Sequence, residues 1–257
     1  MQVDRRRASR EFATYVEAYD PANPRIALKI AHTYRVAELC DEIARAEGLD
    51  ADLAWICGLL HDIGRFEQVR RFDTFNDAAS VRHAQLSAEI LFDTQDPRGL
   101  QIRRYVPDPS HDDLIRTAIA THSDYQLPTN MDSETRAYCD LLRDADKIDI
   151  IRVNCLCPIE DIYGVSVDAM DRSKLSPAVV QTFFEHRTIP RNIRAFPADI
   201  LVSHICFAWE LVYPSSRRII LEQGYLKQML NRRFSDTATQ ETFSLLAAHL
   251  QSEFMKS

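Results

Sequence analysis

Four histidines and two aspartates stand out because helical spacing turns them toward a core. His32 lies on the stripe Leu28, His32, Val36, Leu39, Ile43, and His83 shares a face with Leu86, Ser87 and Ile90. His122 closes the set Ile115, Ala118, Ile119, His122, and His61-Asp62 ends the apolar run Leu53 to Leu60. One core-facing histidine is ordinarily a satisfied structural residue. Histidines on four separate helices are explained more economically by one shared site. In a helix expected over 133–153, Asp146 belongs to the stripe Cys139, Leu142, Asp146, Ile150, Val153, while Asp140, Asp144 and Lys147 are expected on the opposite, wetter side. A carboxylate on a core stripe must pair with a cation, be protonated or bind metal. With no arginine on these stripes, metal is the simplest partner.

Imidazole and carboxylate donors without thiolates suit Mn, Fe, Co, Ni or Zn, with Mg possible, and disfavour a structural zinc cluster of cysteines. Six donors exceed what one ion needs if it is to keep positions open for substrate. They suffice for two divalent ions about 3.5–4 Å apart, with one carboxylate bridging and a shared hydroxide as nucleophile. Such a pair does phosphoester chemistry without a side-chain nucleophile. Arg65, Lys147 and Arg82 each stand one to three residues from a candidate ligand and are expected to assist a phosphate. A second His-Asp pair, His111-Asp112, serves as a control: in Ser110-His111-Asp112-Asp113 it reads as a helix start capped by Ser110.

The elements that must position these residues are helices. Helical periodicity recurs over 8–19, 25–46, 51–64, 80–92, 111–122, 133–153, 177–186, 198–213, 216–232 and 237–254, with no strand alternation of useful length. Loops are expected near 66–79, 93–110 and 154–176, and loops that long are often functional. Gly58, one turn before Asp62 on the same face, lets something approach the backbone closely. The expected architecture is a single all-α unit, a metal-binding core over about 24–155 followed by a C-terminal helical extension over about 156–257.

Composition narrows the function. Only 6 of the 257 residues are glycine, where average usage of about 7% would give roughly 18. They are isolated, so neither a dinucleotide-binding nor a P-loop fingerprint can be written. A formal charge of −7 argues against tracking a nucleic-acid backbone. No apolar run is long enough to span a membrane and no secretory leader is visible, so a cytoplasmic protein is expected. The six cysteines include no C-x-x-C and read as buried free thiols.

The order His32, His61-Asp62, His83, His122, Asp146 resembles the HD-domain superfamily of metal-dependent phosphohydrolases in its longer form. So do the surrounding stretches KIAHTYRVA, GLLHDIGRFEQ, TFNDAASVRHAQ, AIATHSDYQLP and LLRDADKIDII. The resemblance covers about residues 24–155 and implies an HD-domain helical bundle. It also implies that His32, His61, Asp62 and Asp146 hold one metal while Asp62 bridges to a second held by His83 and His122. Arg65 stands where cyclic-dinucleotide-cleaving relatives carry lysine. The chain lacks their G-Y-P signature and has His122-Ser123 in place of their paired histidines, which points away from that substrate. The expected activity is hydrolysis of a phosphoester of a nucleotide or another small phosphorylated metabolite. Two alternatives stand beside it: a mixed-valence di-iron oxygenase of the same fold, and an HD module that binds without catalysis. The stretch Cys155 to Ser176 is expected to fold as a lid that chooses the substrate through Asp161, Asp168 and Lys174, and His204 to be an ordinary buried histidine.

Overall fold

The computed structural model describes residues 1–97 and 99–254, and every regular element among them is helical. Arg98, inside the loop expected over 93–110, lies outside the described residues. The helices gather into two compact units, Met1–Asp146 and Lys147–Ser257. Among the described residues no helix is long and apolar enough to cross a membrane.

The first unit contains α1 (Arg5–Val16), α2 (Pro24–Glu47), α3 (Ala51–Leu60), α4 (Ile63–Phe72), α5 (His83–Phe92), α6 (Ile102–Tyr105), α7 (Asp112–Thr121) and most of α8 (Ser133–Leu156). Its starts are chemically marked. The Asn23 side chain accepts from the Arg25 amide ahead of Pro24, and Asp50 accepts from the Asp52 and Leu53 amides at the start of α3. The α3 residues Leu53 to Leu60 are all buried, and α3 packs along α2. Phe12, Tyr15, Tyr19, Tyr34 and Phe66 form an aromatic cluster of edge-to-face and tilted contacts joining α1, α2 and α4. Burying side chains such as Phe12, Ile56, Leu60 and Phe66 stabilises the unit by about 1.5–3 kcal/mol each.

The second unit holds the end of α8 with α9 (Ile159–Tyr163), α10 (Val167–Asp171), α11 (Pro177–Phe184), α12 (Pro197–Ile205), α13 (Pro214–Gln223), α14 (Tyr225–Leu230) and α15 (Thr237–Phe254). Proline opens α11, α12 and α13, where its missing N–H costs no helical hydrogen bond. Asp199 is fully buried and ties loop to helix, accepting from the Ser176 amide at 2.8 Å and from the Ser176 hydroxyl at 2.6 Å.

Several expectations are corrected. The helix expected over 51–64 breaks at His61-Asp62, and the loop expected from 66 is helical to Phe72, because Glu67 pairs with Arg70 and Arg71 one turn on. The stretch expected to be irregular over 154–176 contains α9 and α10, the latter capped by Ser166. There Asp161, Asp168 and Lys174 are exposed, and Asp168 pairs with Arg172. The segment 216–232 divides at Gly224, and α12 gives way to a 3-10 turn at Cys206–Glu210. Ser110 does not cap α7: its hydroxyl engages the His111 ring at 2.8 Å, and His111 holds the cap position without bonding a helix amide through its side chain. Cys40, Cys57, Cys139 and Cys206 are buried free thiols, whereas Cys155 and Cys157 are partly exposed.

Candidate metal centre

The break between α3 and α4 makes the centre. His61 ends α3 and Asp62 starts α4 with φ −105° and ψ 16°, so neighbouring residues on two helices both turn inward. Two glycines let other helices reach this corner. A Cβ on Gly58 would lie 2.7 Å from the Ala37 Cα, so its absence allows α2, with His32, to close on α3. A Cβ on Gly64 would lie 2.6 Å from the Ser87 amide and 2.7 Å from the His83 carbonyl, so its absence allows the start of α5 against α4. The Gly64 amide donates to the Ser87 hydroxyl at 2.9 Å, and that hydroxyl donates to the His83 carbonyl at 3.0 Å.

All six candidate ligands meet there. His32, His61, Asp62, His83 and His122 are buried, and the Asp146 side chain is 16% exposed. His32 Nε2 lies 3.1 Å from Asp146 Oδ1 and 3.6 Å from Asp62 Oδ2; His61 Nε2 lies 3.4 Å from Asp62 Oδ2 and 3.8 Å from Asp146 Oδ1. The other Asp62 oxygen faces a different pair. Oδ1 is 3.4 Å from His83 Nε2 and 3.6 Å from His122 Nε2, and those two nitrogens are 3.1 Å apart. Ligand bonds of about 2.0–2.2 Å place neighbouring donors on one ion roughly 3–3.5 Å apart, close to the separations in both groups. The donor atoms of His32–His61–Asp146 lie within 4.8 Å of one another, as do those of His61–Asp62–His122, a set that takes one histidine from each group.

The placement of protons makes the same point from chemistry. His61 Nδ1 donates to the Gly58 carbonyl at 2.7 Å and His122 Nδ1 to the Ile119 carbonyl at 2.7 Å. A carbonyl carries no proton, so in both rings Nδ1 carries one and Nε2 is the atom turned inward. His83 Nδ1 lies 2.7 Å from an Asp77 oxygen, and burial together with the Arg65 guanidinium pushes the His83 pKa down to about 3. Imidazole Nε2 atoms therefore face one another and carboxylate oxygens. Among the described residues, nothing hydrogen-bonds His61 Nε2 or Asp62 Oδ1, and both atoms are buried. Such a set is costly unless a cation sits among it. The residues fit metal.

The cations divide differently from expectation. Lys29, which the sequence pattern does not single out, places Nζ 2.6 Å from Asp62 Oδ2 with its side chain 13% exposed. Burial by itself would raise the Asp62 carboxyl, but Lys29 and the His61 ring outweigh it and hold the group well below the usual carboxylate range. Arg65 Nε is 3.6 Å from Asp62 Oδ1, yet its Nη1 is committed to Gln68 Oε1 (2.7 Å), the Phe75 carbonyl (2.8 Å) and Asp77 Oδ1 (3.0 Å). Lys29 and Arg65 both lie 5.5 Å from the centre of the Phe75 ring. Arg82 is largely exposed and paired with Asp124. Lys147 is buried and paired with Glu210 at 2.9 Å.

The wet side expected on α8 does not exist at Asp144 and Lys147. Asp144 is fully buried and Lys147 nearly so, because Leu141, Ala145, Ile148 and Ile151 extend the buried surface around the helix. Only Asp140 keeps partial exposure, paired with Arg136. Asp146 is thus the more open carboxylate of the two, and it is the one that meets His32 and His61.

No curated protein and no solved structure matches the chain. The profile of the HD domain does match, over residues 30–151, a span that contains all six donors. Residues 30–151 thus match the HD domain, a helical fold whose superfamily consists largely of metal-dependent hydrolases.

Proposed function

We propose that the centre takes two divalent transition-metal ions and that the chain is a phosphohydrolase acting on a phosphoester of a nucleotide or small phosphorylated metabolite. The observation that carries the reading is the division of Asp62: one oxygen faces His32 and His61, with Asp146 beside them, and the other faces His83 and His122. Ions held there would supply Lewis acidity and an activated water for in-line displacement at phosphorus. The chain supplies the rest. His61 and His122 are locked as Nε2 donors by their own helical carbonyls, so no reorganisation is needed at the moment of reaction. Asp62 spans both donor groups and so fixes their separation. With both its oxygens engaged in this way, Lys29 would be released from its present partner to meet an anionic oxygen of the substrate, and Arg65 would hold the wall of the site through its loop contacts.

Two cations beside the bridging carboxylate favour an anionic substrate over a neutral polyol, and thus hydrolysis over the oxygenase alternative. The partner is a small molecule; the acidic chain offers no basic tract for a stable nucleic-acid complex. The test is a panel of nucleotides and sugar phosphates with protein reconstituted in Mn, Fe, Co, Ni, Zn or Mg, run with and without dioxygen. Metal-dependent phosphate release that is indifferent to dioxygen is the expected result. Turnover that needs dioxygen would transfer the site to the oxygenase reading, and metal uptake without turnover on any ester would leave a binding module.

A further inference from the structure

The two donor groups are not equally supported. In the first, His61 anchors Nδ1 on a carbonyl of its own helical turn, and Asp146 projects from the middle of the long α8. In the second, His122 is anchored in the same way, but His83 is the first residue of α5 and has no preceding turn to hold it. Its Nδ1 is held instead by Asp77 Oδ2 at 2.7 Å. Asp77 lies outside the donor order of the family, on a 3-10 turn in the loop that follows α4.

That carboxylate is itself fixed. Asp77 Oδ1 accepts from Gln68 Nε2 at 2.9 Å and from Arg65 Nη1 at 3.0 Å. Gln68 is fully buried, and its amide also donates to the Ser80 hydroxyl at 2.9 Å and the Val81 carbonyl at 3.0 Å. A buried glutamine that directs its amide protons to a surface loop, and its oxygen to Arg65 at 2.7 Å, holds that loop in one place against α4.

We infer that Asp77 is a positioning residue for the second ion, so that the loop after α4 sets whether the centre holds one ion or two. The inference rests on the dinuclear reading above. A carboxylate on Nδ1–H keeps the imidazole in the Nε2-donor form, fixes the ring plane and makes Nε2 more basic; loss of such a partner weakens metal affinity about 10–100-fold. His61 and His122 rest Nδ1 on neutral carbonyls, and of these three rings His83 alone rests it on a carboxylate. The effect therefore falls on the ion position that His83 serves.

The experiment is Mn²⁺ binding to the full chain, by equilibrium dialysis with elemental analysis, together with electron paramagnetic resonance, which separates a coupled Mn pair from an isolated ion. The wild-type chain should take two Mn²⁺ and show coupling. Asp77→Ala should bind the first ion with unchanged affinity, the second about 10–100-fold more weakly, and show an isolated-ion spectrum at intermediate Mn²⁺. Asp77→Asn keeps an acceptor oxygen for Nδ1–H but loses the charge, and should weaken the second ion alone by about threefold to tenfold. Because the asparagine conserves shape, it tests the inference even where the alanine variant misfolds. Retention of both ions at wild-type affinity in either variant, or equal weakening of both ions, overturns the assignment. A wild-type chain that takes only one Mn²⁺ overturns the dinuclear reading itself, a result distinguishable because it precedes any substitution.

Discussion

Histidine is buried in the first unit and half-buried at His204 in the second, and the two units satisfy it in opposite ways. In the second unit, His204 Nδ1 donates to Asn154 Oδ1 at 3.0 Å, the Tyr163 hydroxyl donates to the same oxygen, and the Asn154 amide donates to the Ile150 carbonyl at 2.7 Å. Donors meet acceptors there, and burial, with the charge of Arg194 added, pushes the His204 pKa down to about 3. In the first unit, the Nε2 atoms of His61, His83 and His122 converge on the oxygens of Asp62. Burial alone therefore says little about the role of a histidine. The surroundings decide: one cluster pairs donors with acceptors, and the other gathers atoms able to ligate a metal around one carboxylate.

The sharpest way to break this contrast is to remove the shared carboxylate. Asp62→Ala takes a donor from both groups and should abolish binding of two ions, with turnover falling by at least about 10³-fold while helical content persists. His204→Ala should leave metal content untouched and cost stability only. Elemental analysis and circular dichroism on the two variants read the difference. Equal metal loss in both would erase the distinction between the clusters.

A chelator separates the clusters without mutation. An ion present at about 100 times its Kd stabilises the native state by about 2.7 kcal/mol. For domains of roughly 150–250 residues, each kcal/mol shifts Tm by about 2–4 °C. EDTA should therefore lower the Tm of the reconstituted wild type by about 5–10 °C per ion. It should do the same to His204→Ala and move Asp62→Ala by no more than one ion's worth, since His32, His61 and Asp146 remain. A full two-ion shift in Asp62→Ala would place the metal elsewhere.

Lys29 and Arg65 refine the comparison within the first unit. Lys29→Met removes a charge that pairs with Asp62 and lies against the Phe75 ring, and it should lower kcat/KM on the phosphorylated substrate by about 10–100-fold with metal content intact. Arg65→Ala should act more weakly on KM and more strongly on stability, since it unties Gln68, Phe75 and Asp77. The reverse ranking would restore Arg65 as the main phosphate contact.

What can be read from the sequence follows from periodicity. His32, His83, His122 and Asp146 show themselves because a helix writes its buried face every three to four residues, and His61-Asp62 because the pair ends a run apolar on nearly every side. Asp77 leaves no such trace: it reaches His83 from a loop whose course is set by hydrogen bonds of Gln68, not by an apolar stripe. Lys29 is hidden for a related reason, since a lysine beside a stripe reads as solvated until the carboxylate it meets is located. The stripe argument misplaces Asp144 because it assumes one wet face, and α8 has apolar neighbours on that side too. Gln68 does carry a signal, a polar residue between Phe66 and Val69 on a helix that reads as a loop when its arginines are taken for surface.

The smallest expected effect concerns Lys147, the neighbour of Asp146 that sequence position alone offers as a phosphate contact. Its ammonium is 2.9 Å from Glu210 Oε2, with the side chains 10% and 14% exposed, and the other Glu210 oxygen is buried without a hydrogen-bond partner. If this pair is its whole role, Lys147→Met should leave kcat and KM within about twofold and cost about 1–3 kcal/mol of stability, because Glu210 would keep a charge with nothing to offset it. Adding Glu210→Leu should then recover most of that loss, since replacing both partners of a buried pair by apolar side chains is often neutral. If Lys147 instead assists phosphate, the single variant should lose activity about tenfold, and the second substitution, acting on stability alone, should not bring it back. The double variant thus separates a tether from a catalytic cation, since only stability is recoverable through Glu210.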